Sequence, residues 1–498
     1  MSTKNQHLSS VLIVIGYLLT VLGLILIIPL LMALMRNEGR IIYLAFIIPA
    51  VSSLTLGFVI EMIFRKKTLN LNIVSSMIVV TFAWLAASLV GSIPFIIGLN
   101  VSIIDAVFEA VSGFTTTGIT VFEGLDAFPK SIILWRSMMQ WLGGLGILTF
   151  FLLITFRSEG NLWQLFSAES HKINISRPVP NIYKTIKIFW GIYLLFTLLE
   201  IILLYIFQVP LFEAVIHSLT TLSTGGFSNH DLSIAYYRES GHPYYRQIEY
   251  IITLFMLLGG INFLVHFRAL TGNVKEYFSN MEMKYFWRII FYFSLIIFIG
   301  RYLISPEILG SLEENFRTII FQVVSIMTTT GFVTENITGS FFPAVARQLF
   351  LGLMLIGGCV GSTSGGIKVM RIAVLNHLFF REMRKIYLPS RAVTPVSIDG
   401  QLIDVDEVMK IAALFFGWIL LILIGAIITA LFSDLNGYQS FSGMFSAVGN
   451  VGPFFFSVEK MVSLSPVIKI TYIIGMLAGR LEILPIFLLL SKRLWKYS

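Results

Sequence analysis

The sequence predicts an all-α polytopic membrane protein, with four parallel membrane–pore–membrane repeats in pseudo-fourfold symmetry and two extra N-terminal transmembrane helices. Three observations predict it. The 498-residue chain is 56% hydrophobic and only 12% charged, whereas soluble domains average about 25% charged residues. Apolar stretches of about 20 residues, enough to cross a core roughly 30 Å thick, recur along the whole length. A polar, glycine-ended break interrupts that pattern four times: "SGFTTTGIT" (112–120), "TTLSTGGFS" (220–228), "VSIMTTTGFV" (324–333) and "SAVGNVGPF" (446–454).

Spans fall at roughly 11–35, 41–63, 73–98, 131–156, 185–208, 248–268, 289–305, 344–375, 408–432 and 466–490. The first has no small-residue cleavage site and leads directly into a second, so it reads as a retained helix. Basic residues cluster after the even-numbered spans: Arg65, Lys66 and Lys67; then Arg157, Lys172, Arg177, Lys184 and Lys187. The pattern continues with Arg268, Lys275, Lys284 and Arg288, then Arg371, Arg381, Arg384, Lys385 and Arg391, and finally Lys492, Arg493 and Lys496. By the positive-inside rule these loops and both termini are cytoplasmic, which also accounts for the net charge of +8 without nucleic acid.

Aligned on Gly118, Gly225, Gly331 and Gly452, the breaks recur at intervals of 107, 106 and 121 residues, always on the outer side. The chain therefore divides into two leading helices (1–69) and repeats over 70–160, 161–275, 276–395 and 396–498. Each copy starts and ends inside, so the copies are parallel and can surround an axis along the membrane normal. The segments before the breaks (102–114, 211–222, 315–327 and 438–449) are half-helices. At 1.5 Å per residue they reach about 18 Å, roughly half the hydrocarbon core. Three carry a serine six residues before the glycine (Ser112, Ser325, Ser446), where the second has Leu219.

Irregular backbone at that depth must be enclosed by protein or line water. Carbonyls and Thr or Ser hydroxyls there can replace the hydration shell of a cation. Glycine lets the backbone turn and approach closely.

These residues resemble the Trk/Ktr/HKT superfamily of potassium uptake proteins over roughly 70–498, and the two extra leading spans make the chain similar to the TrkH-type membrane subunit. The resemblance implies a potassium filter made of Thr116, Thr117 and Gly118, of Ser223, Thr224 and Gly225, of Thr329, Thr330 and Gly331, and of Asn450, Val451 and Gly452. The ion would be held at Thr116, Thr117, Ser223, Thr224, Thr329, Thr330, Asn450 and Val451. The fourth strand lacks threonine and runs into Pro453, a departure from a strict fourfold ring. Some plant relatives that prefer sodium have serine in place of the first glycine, so Gly118 implies potassium.

The eighth span reads "LGLMLIGGCVGSTSGGIKVMR" (351–371). Each interior glycine costs a helix about 1 kcal/mol relative to alanine, so this stretch is not expected to be plain helix. The resemblance makes Gly357, Gly358, Gly361, Ser362, Thr363, Ser364, Gly365 and Gly366 an intramembrane gate loop. Arg480 lies near the middle of the tenth span, where a charge must face the bundle interior or a wet cavity. The resemblance puts it beneath the filter, holding the loop. Glu482 cannot share its helix face. Glu200, inside the fifth span, is read as a packing residue.

Cys359 is the only cysteine, which rules out an intrachain disulfide framework. The seven histidines show no metal-ligand spacing. There is no phosphate- or dinucleotide-binding fingerprint. No cofactor is expected, only potassium as the transported ion. A different class of reading, an intramembrane hydrolase using Ser364 with His377, lacks the G-x-S-x-G spacing. The resemblance further implies a homodimer embedded in the lipid of a bacterial inner membrane, controlled by a cytosolic nucleotide-binding ring of the TrkA type. Transport driven by membrane potential alone and symport with H+ or Na+ both accord with the sequence.

Overall fold

The computed structural model describes residues 3–64, 73–146, 149, 182–304, 311–389, 394–483, 485 and 487. The basic residues Arg65, Lys66, Lys67, Arg157, Lys172, Arg177, Arg391, Lys492, Arg493 and Lys496 lie outside the described residues. Apart from a small hairpin pairing Ser397–Ile398 with Gln401–Leu402, the regular elements of the described chain are all helices.

Six of the ten predicted spans are long, continuous apolar helices: Ser9–Arg36, Arg40–Phe64, Ser76–Leu99, Tyr183–Ile206, Met281–Ile304 and Val405–Leu431. Large apolar side chains stand exposed along their outer faces, such as Phe58, Leu198, Phe291 and Phe416. In water such faces would cost free energy, whereas against lipid they are matched. The other four spans, each following a half-helix, are not continuous. Their helices stop at Gly144, Gly260, Leu355 and Arg480. After Gly260 the chain resumes as Phe263–Leu270 at an angle of 104°.

The sequence marks such a break in the eighth span; the fourth, sixth and tenth break as well. In three of the four repeats the helix passes the end of its own half-helix with no room for a side chain. A Cβ on Gly143 would strike the Phe114 carbonyl, one on Gly259 would lie 3.0 Å from the Leu222 carbonyl, and one on Gly479 would strike the Val448 carbonyl.

The half-helices are Ile103–Phe114, Leu211–Leu222, Leu312–Met327 and Gly437–Gly449. Ser102 caps the first by accepting the Asp105 N–H at 3.1 Å. Asn436 and Gln439 form a reciprocal capping box on the fourth. The third begins three residues earlier than predicted; Glu313 and Glu314 in its first turn sit well against the positive helix end. One buried core joins the leading helices to the first and fourth half-helices, and a second unites the second and third repeats. The hairpin packs by Val396 and Ile398 against Val374, Val408 and Ile411.

Candidate functional site

Each half-helix ends in the same turn. Thr116, Thr224, Thr329 and Asn450 have φ of 54°, 52°, 58° and 54°. The next residue's N–H reaches back five residues: Thr117 to Ser112 O, Gly225 to Thr220 O, Thr330 to Ser325 O (each 2.9 Å) and Val451 to Ser446 O (3.0 Å). That is a Schellman-type cap, which normally places glycine or asparagine at the left-handed position. Here three of the four are threonine. A β-branched residue there is strained by about 1–2 kcal/mol. Backbone strain held in register at several positions is characteristic of functional sites.

The next positive φ falls on Gly118, Gly226, Gly331 and Gly452. The second strand is therefore one residue later than its sequence alignment, with Gly226 rather than Gly225 equivalent to Gly118. The reach-back bonds agree, and the hydroxyl residue six positions before the ring glycine becomes Thr220 rather than Leu219. All four repeats then carry a hydroxyl there.

These glycines close a ring. A Cβ on Gly118 would strike the Gly225 carbonyl, one on Gly226 the Thr330 carbonyl, and one on Gly331 the Val451 carbonyl. One on Gly452 would lie 3.1 Å from the Thr117 carbonyl, which completes the circuit in chain order. All four glycines line one cavity of about 540 Å³ on the side away from the half-helix cores.

Buried ion pairs hold the ring from behind. Arg136 donates to Glu109 at 2.6 and 2.8 Å, and the same carboxylate accepts from Thr120 Oγ1 (2.9 Å) and the Val121 N–H (3.0 Å). Arg317 of the third half-helix meets Glu249 at 2.6 Å. Removing one partner from such a pair costs about 3–5 kcal/mol, because the other charge is left buried. Gln140, also fully buried, bonds Gly225 O and the Phe227 N–H. Sequence reasoning missed all five side chains. A signal existed for two of them: Arg136 and Gln140 are four apart, on one face of a largely apolar helix.

Lining that cavity, His230 bridges two repeats. Its Nδ1 bonds Asp126, its Nε2 lies 3.3 Å from Glu213, and its ring stacks on Tyr236 at 3.5 Å. Burial alone would lower its pKa, but hydrogen bonds to Glu213 and Asp126 outweigh burial and raise it. The stability contributed by the raised group is fully present below the ordinary imidazole value of about 6.5 and is lost as pH rises through the raised one. The melting temperature of purified wild type should thus exceed that of His230→Gln at pH 5.5 by more than at pH 9. An equal gap at both would refute this.

Beneath the ring, the chain between helices Ala344–Leu355 and Val369–Lys385 is a non-helical loop pinned at its base by the Gly357 N–H to Ile367 O bond (2.9 Å). It and Arg480 touch all four strands. Thr363 Oγ1 lies 3.3 Å from Thr224 Oγ1, and the Gly365 N–H donates to Thr329 Oγ1 at 2.8 Å. Arg480 donates to Thr116 Oγ1 (3.2 Å) and to the Thr363 carbonyl (2.8 Å). A Cβ on Gly365 would come within 2.6 Å of Asn450 Cβ. Arg480 also donates to the Gly143 and Gly144 carbonyls, and its guanidinium sits 5.6 Å from the Trp84 ring. Glu482 is paired elsewhere, with Arg371 at 2.5 Å.

The sequence profile of the TrkH family, described as a cation transport protein, matches residues 44–497. The chain belongs to the TrkH family. It is 31% identical to the Trk system potassium uptake protein TrkH of Escherichia coli K12, across 99% of this chain and 100% of that one. It is 32% identical to an uncharacterized cation transporter of Methanocaldococcus jannaschii, across 99% and 97%. Its fold matches the crystal structure of the potassium transporter TrkH from Vibrio parahaemolyticus with a TM-score of 0.86 and 30% identity, covering 98% and 99% of the two chains.

Membership of the TrkH family makes the chain an integral membrane transport protein and not an enzyme. The hydrolase alternative loses its chemistry as well. The Ser364 hydroxyl accepts the Gly358 N–H (2.9 Å) and bonds Ser362 (2.6 Å), while the His377 ring lies beside Tyr285. Glu200 is fully buried near Thr221 at the end of the second half-helix, and nothing in the structure explains a carboxyl group there.

Proposed function

We propose that this chain carries potassium ions into the cell through the four-strand ring, driven by the membrane potential, with the loop 357–366 and Arg480 as its gate. The observation that carries the reading is the closed circuit of glycines and carbonyls between Gly118, Gly226, Gly331 and Gly452. Such a ring presents oxygens at a fixed spacing and can substitute for the hydration shell of a cation. The half-helices direct their negative ends at it, which favours a positive ion. The potential supplies about 2.3 kcal/mol per charge per 100 mV. The similarity to the potassium uptake protein of E. coli supports the choice of ion.

In this reading the cavity of about 540 Å³ is the outer vestibule, and the loop closes the cytoplasmic side. A cytosolic nucleotide-binding ring would act on the loop from below, and the protein would work as a homodimer in the inner membrane. The basic residues of the described chain, among them Arg268, Arg381, Arg384 and Lys385, support that orientation.

Gly118→Ser tests the filter. Gly118 has φ of 78°, and its missing side chain faces the Gly225 carbonyl. A serine there must displace the second strand, so K+ preference over Na+ in proteoliposome uptake should fall on the order of tenfold, about 1.4 kcal/mol. Unchanged preference in a folded Gly118→Ser protein would contradict the reading.

A further inference from the structure

The second strand departs from the other three at one position. Thr117, Thr330 and Val451 carry side chains that brace their strands from behind. Thr117 Oγ1 bonds Thr115 Oγ1 (2.7 Å) and accepts from Asn450 Nδ2 (2.8 Å), and Thr330 Oγ1 bonds Thr328 Oγ1 (2.8 Å). Val451 is buried in the apolar core of the second and third repeats. The equivalent Gly225 has no side chain. Its φ is not positive, so its backbone conformation does not call for glycine.

The missing side-chain space is already occupied. A Cβ on Gly225 would strike Cδ and Oε1 of Gln140 and lie 2.8 Å from its Nε2. Gln140 comes from the second helix of the first repeat, one turn beyond Arg136. Its Nε2 donates to Gly225 O at 2.6 Å, and its Oε1 accepts the Phe227 N–H at 3.0 Å. Only this orientation of the amide satisfies both strand groups.

We propose that Gln140 is the selectivity-determining side chain of the second strand, supplied from the neighbouring repeat. Gly225 O is the ring carbonyl that faces Gly118. Among the described residues it alone of the four ring carbonyls accepts a hydrogen bond, since Thr117 O, Thr330 O and Val451 O receive none. A carbonyl already bonded to an amide is a weaker cation ligand and less free to tilt. The ring therefore has three free oxygens and one held at a set angle, and both the number and the field of the oxygens decide which cation replaces its water most cheaply. Gln140 sets that angle without touching the ion, so it is a positioning residue.

The proposal rests on the ring being the ion filter. It is tested by Rb+ and Na+ uptake into proteoliposomes holding full-length protein under an imposed inside-negative potential. Gln140→Leu keeps the bulk but loses both bonds, and should lower Rb+ preference over Na+ by roughly fivefold to tenfold. Gly225→Thr with Gln140 in place should lose most uptake. Gly225→Thr combined with Gln140→Ala gives the second strand a bracing side chain of its own, like that of Thr117 or Thr330. Uptake and preference in this pair should return to within about threefold of wild type.

Wild-type preference in folded Gln140→Leu, or free tolerance of Gly225→Thr beside Gln140, would overturn the proposal. If Gln140→Leu does not accumulate, the pair decides: recovery supports the proposal, and transport no better than Gly225→Thr alone overturns it. Gly118→Ser measured in parallel separates the two levels. If it shifts preference while Gln140→Leu does not, only the role of Gln140 falls. If neither shifts it, the filter reading falls too.

Discussion

Gly226→Ala is expected to abolish selective uptake, with a loss on the order of a hundredfold, whereas Gly225→Ala should lose on the order of tenfold. The two glycines are adjacent but differently placed. Gly226 has φ of 76°, where an alanine costs about 1–2 kcal/mol before any contact is counted. Its added methyl would also strike the Thr330 carbonyl, a backbone atom that moves only if the ring opens. Gly225 has no positive φ, and an added methyl first meets the amide of Gln140, on a side chain that can swing aside at the expense of its two hydrogen bonds. The sequence alignment, which pairs Gly225 with Gly118, predicts the reverse order. Uptake of Rb+ by the two variants at matched protein levels separates these registers, and an equal or reversed ranking would refute the one described here.

Deleting Gly361–Gly365 should raise potassium or rubidium uptake severalfold without the cytosolic partner, with ion preference largely kept. Those residues supply Thr363 and Gly365, which cover the second and third strands from below, and the Thr363 carbonyl that receives Arg480. The anchor at Gly357 and Ile367 lies outside the deletion, so the flanking helices keep their connection. Glycines give the segment several backbone states of similar energy, so a modest pull from the cytoplasm can shift it. Arg480→Ala is the milder form of the experiment. It removes a fixed positive charge bonded to Thr116 Oγ1 and should raise flux less than the deletion does. A folded deletion protein with wild-type flux would reduce the loop to helix packing.

The sequence carried the architecture because its signals are repeated. Four glycine-ended breaks after four short apolar segments give half-helices at the right places, since chain length and hydropathy leave few other arrangements. The register of the second strand was not legible. "STGG" offers two glycines, and the choice turns on Gln140, eighty-five residues away, which fills the space beside Gly225. The broken second helices left a trace in Gly143–Gly144, Gly259–Gly260 and Gly479. Small residues in apolar helices ordinarily mean close helix packing, and here they mean passage past the end of a half-helix. Arg480 was found because a mid-span arginine demands a polar partner. Its partners are the Gly143, Gly144 and Thr363 carbonyls and the Thr116 hydroxyl, and the tertiary fold alone brings them together.

Potassium selectivity of the ring is read from the reversal potential of the purified protein, with the loop deletion opening it, in a planar bilayer between K+ on one side and Na+ on the other at equal pH. A current is expected that reverses far from zero, on the side set by a potassium permeability well above that of sodium, and that moves toward zero when Gly118→Ser is added. No current, or a reversal at zero before that substitution, would contradict the filter reading.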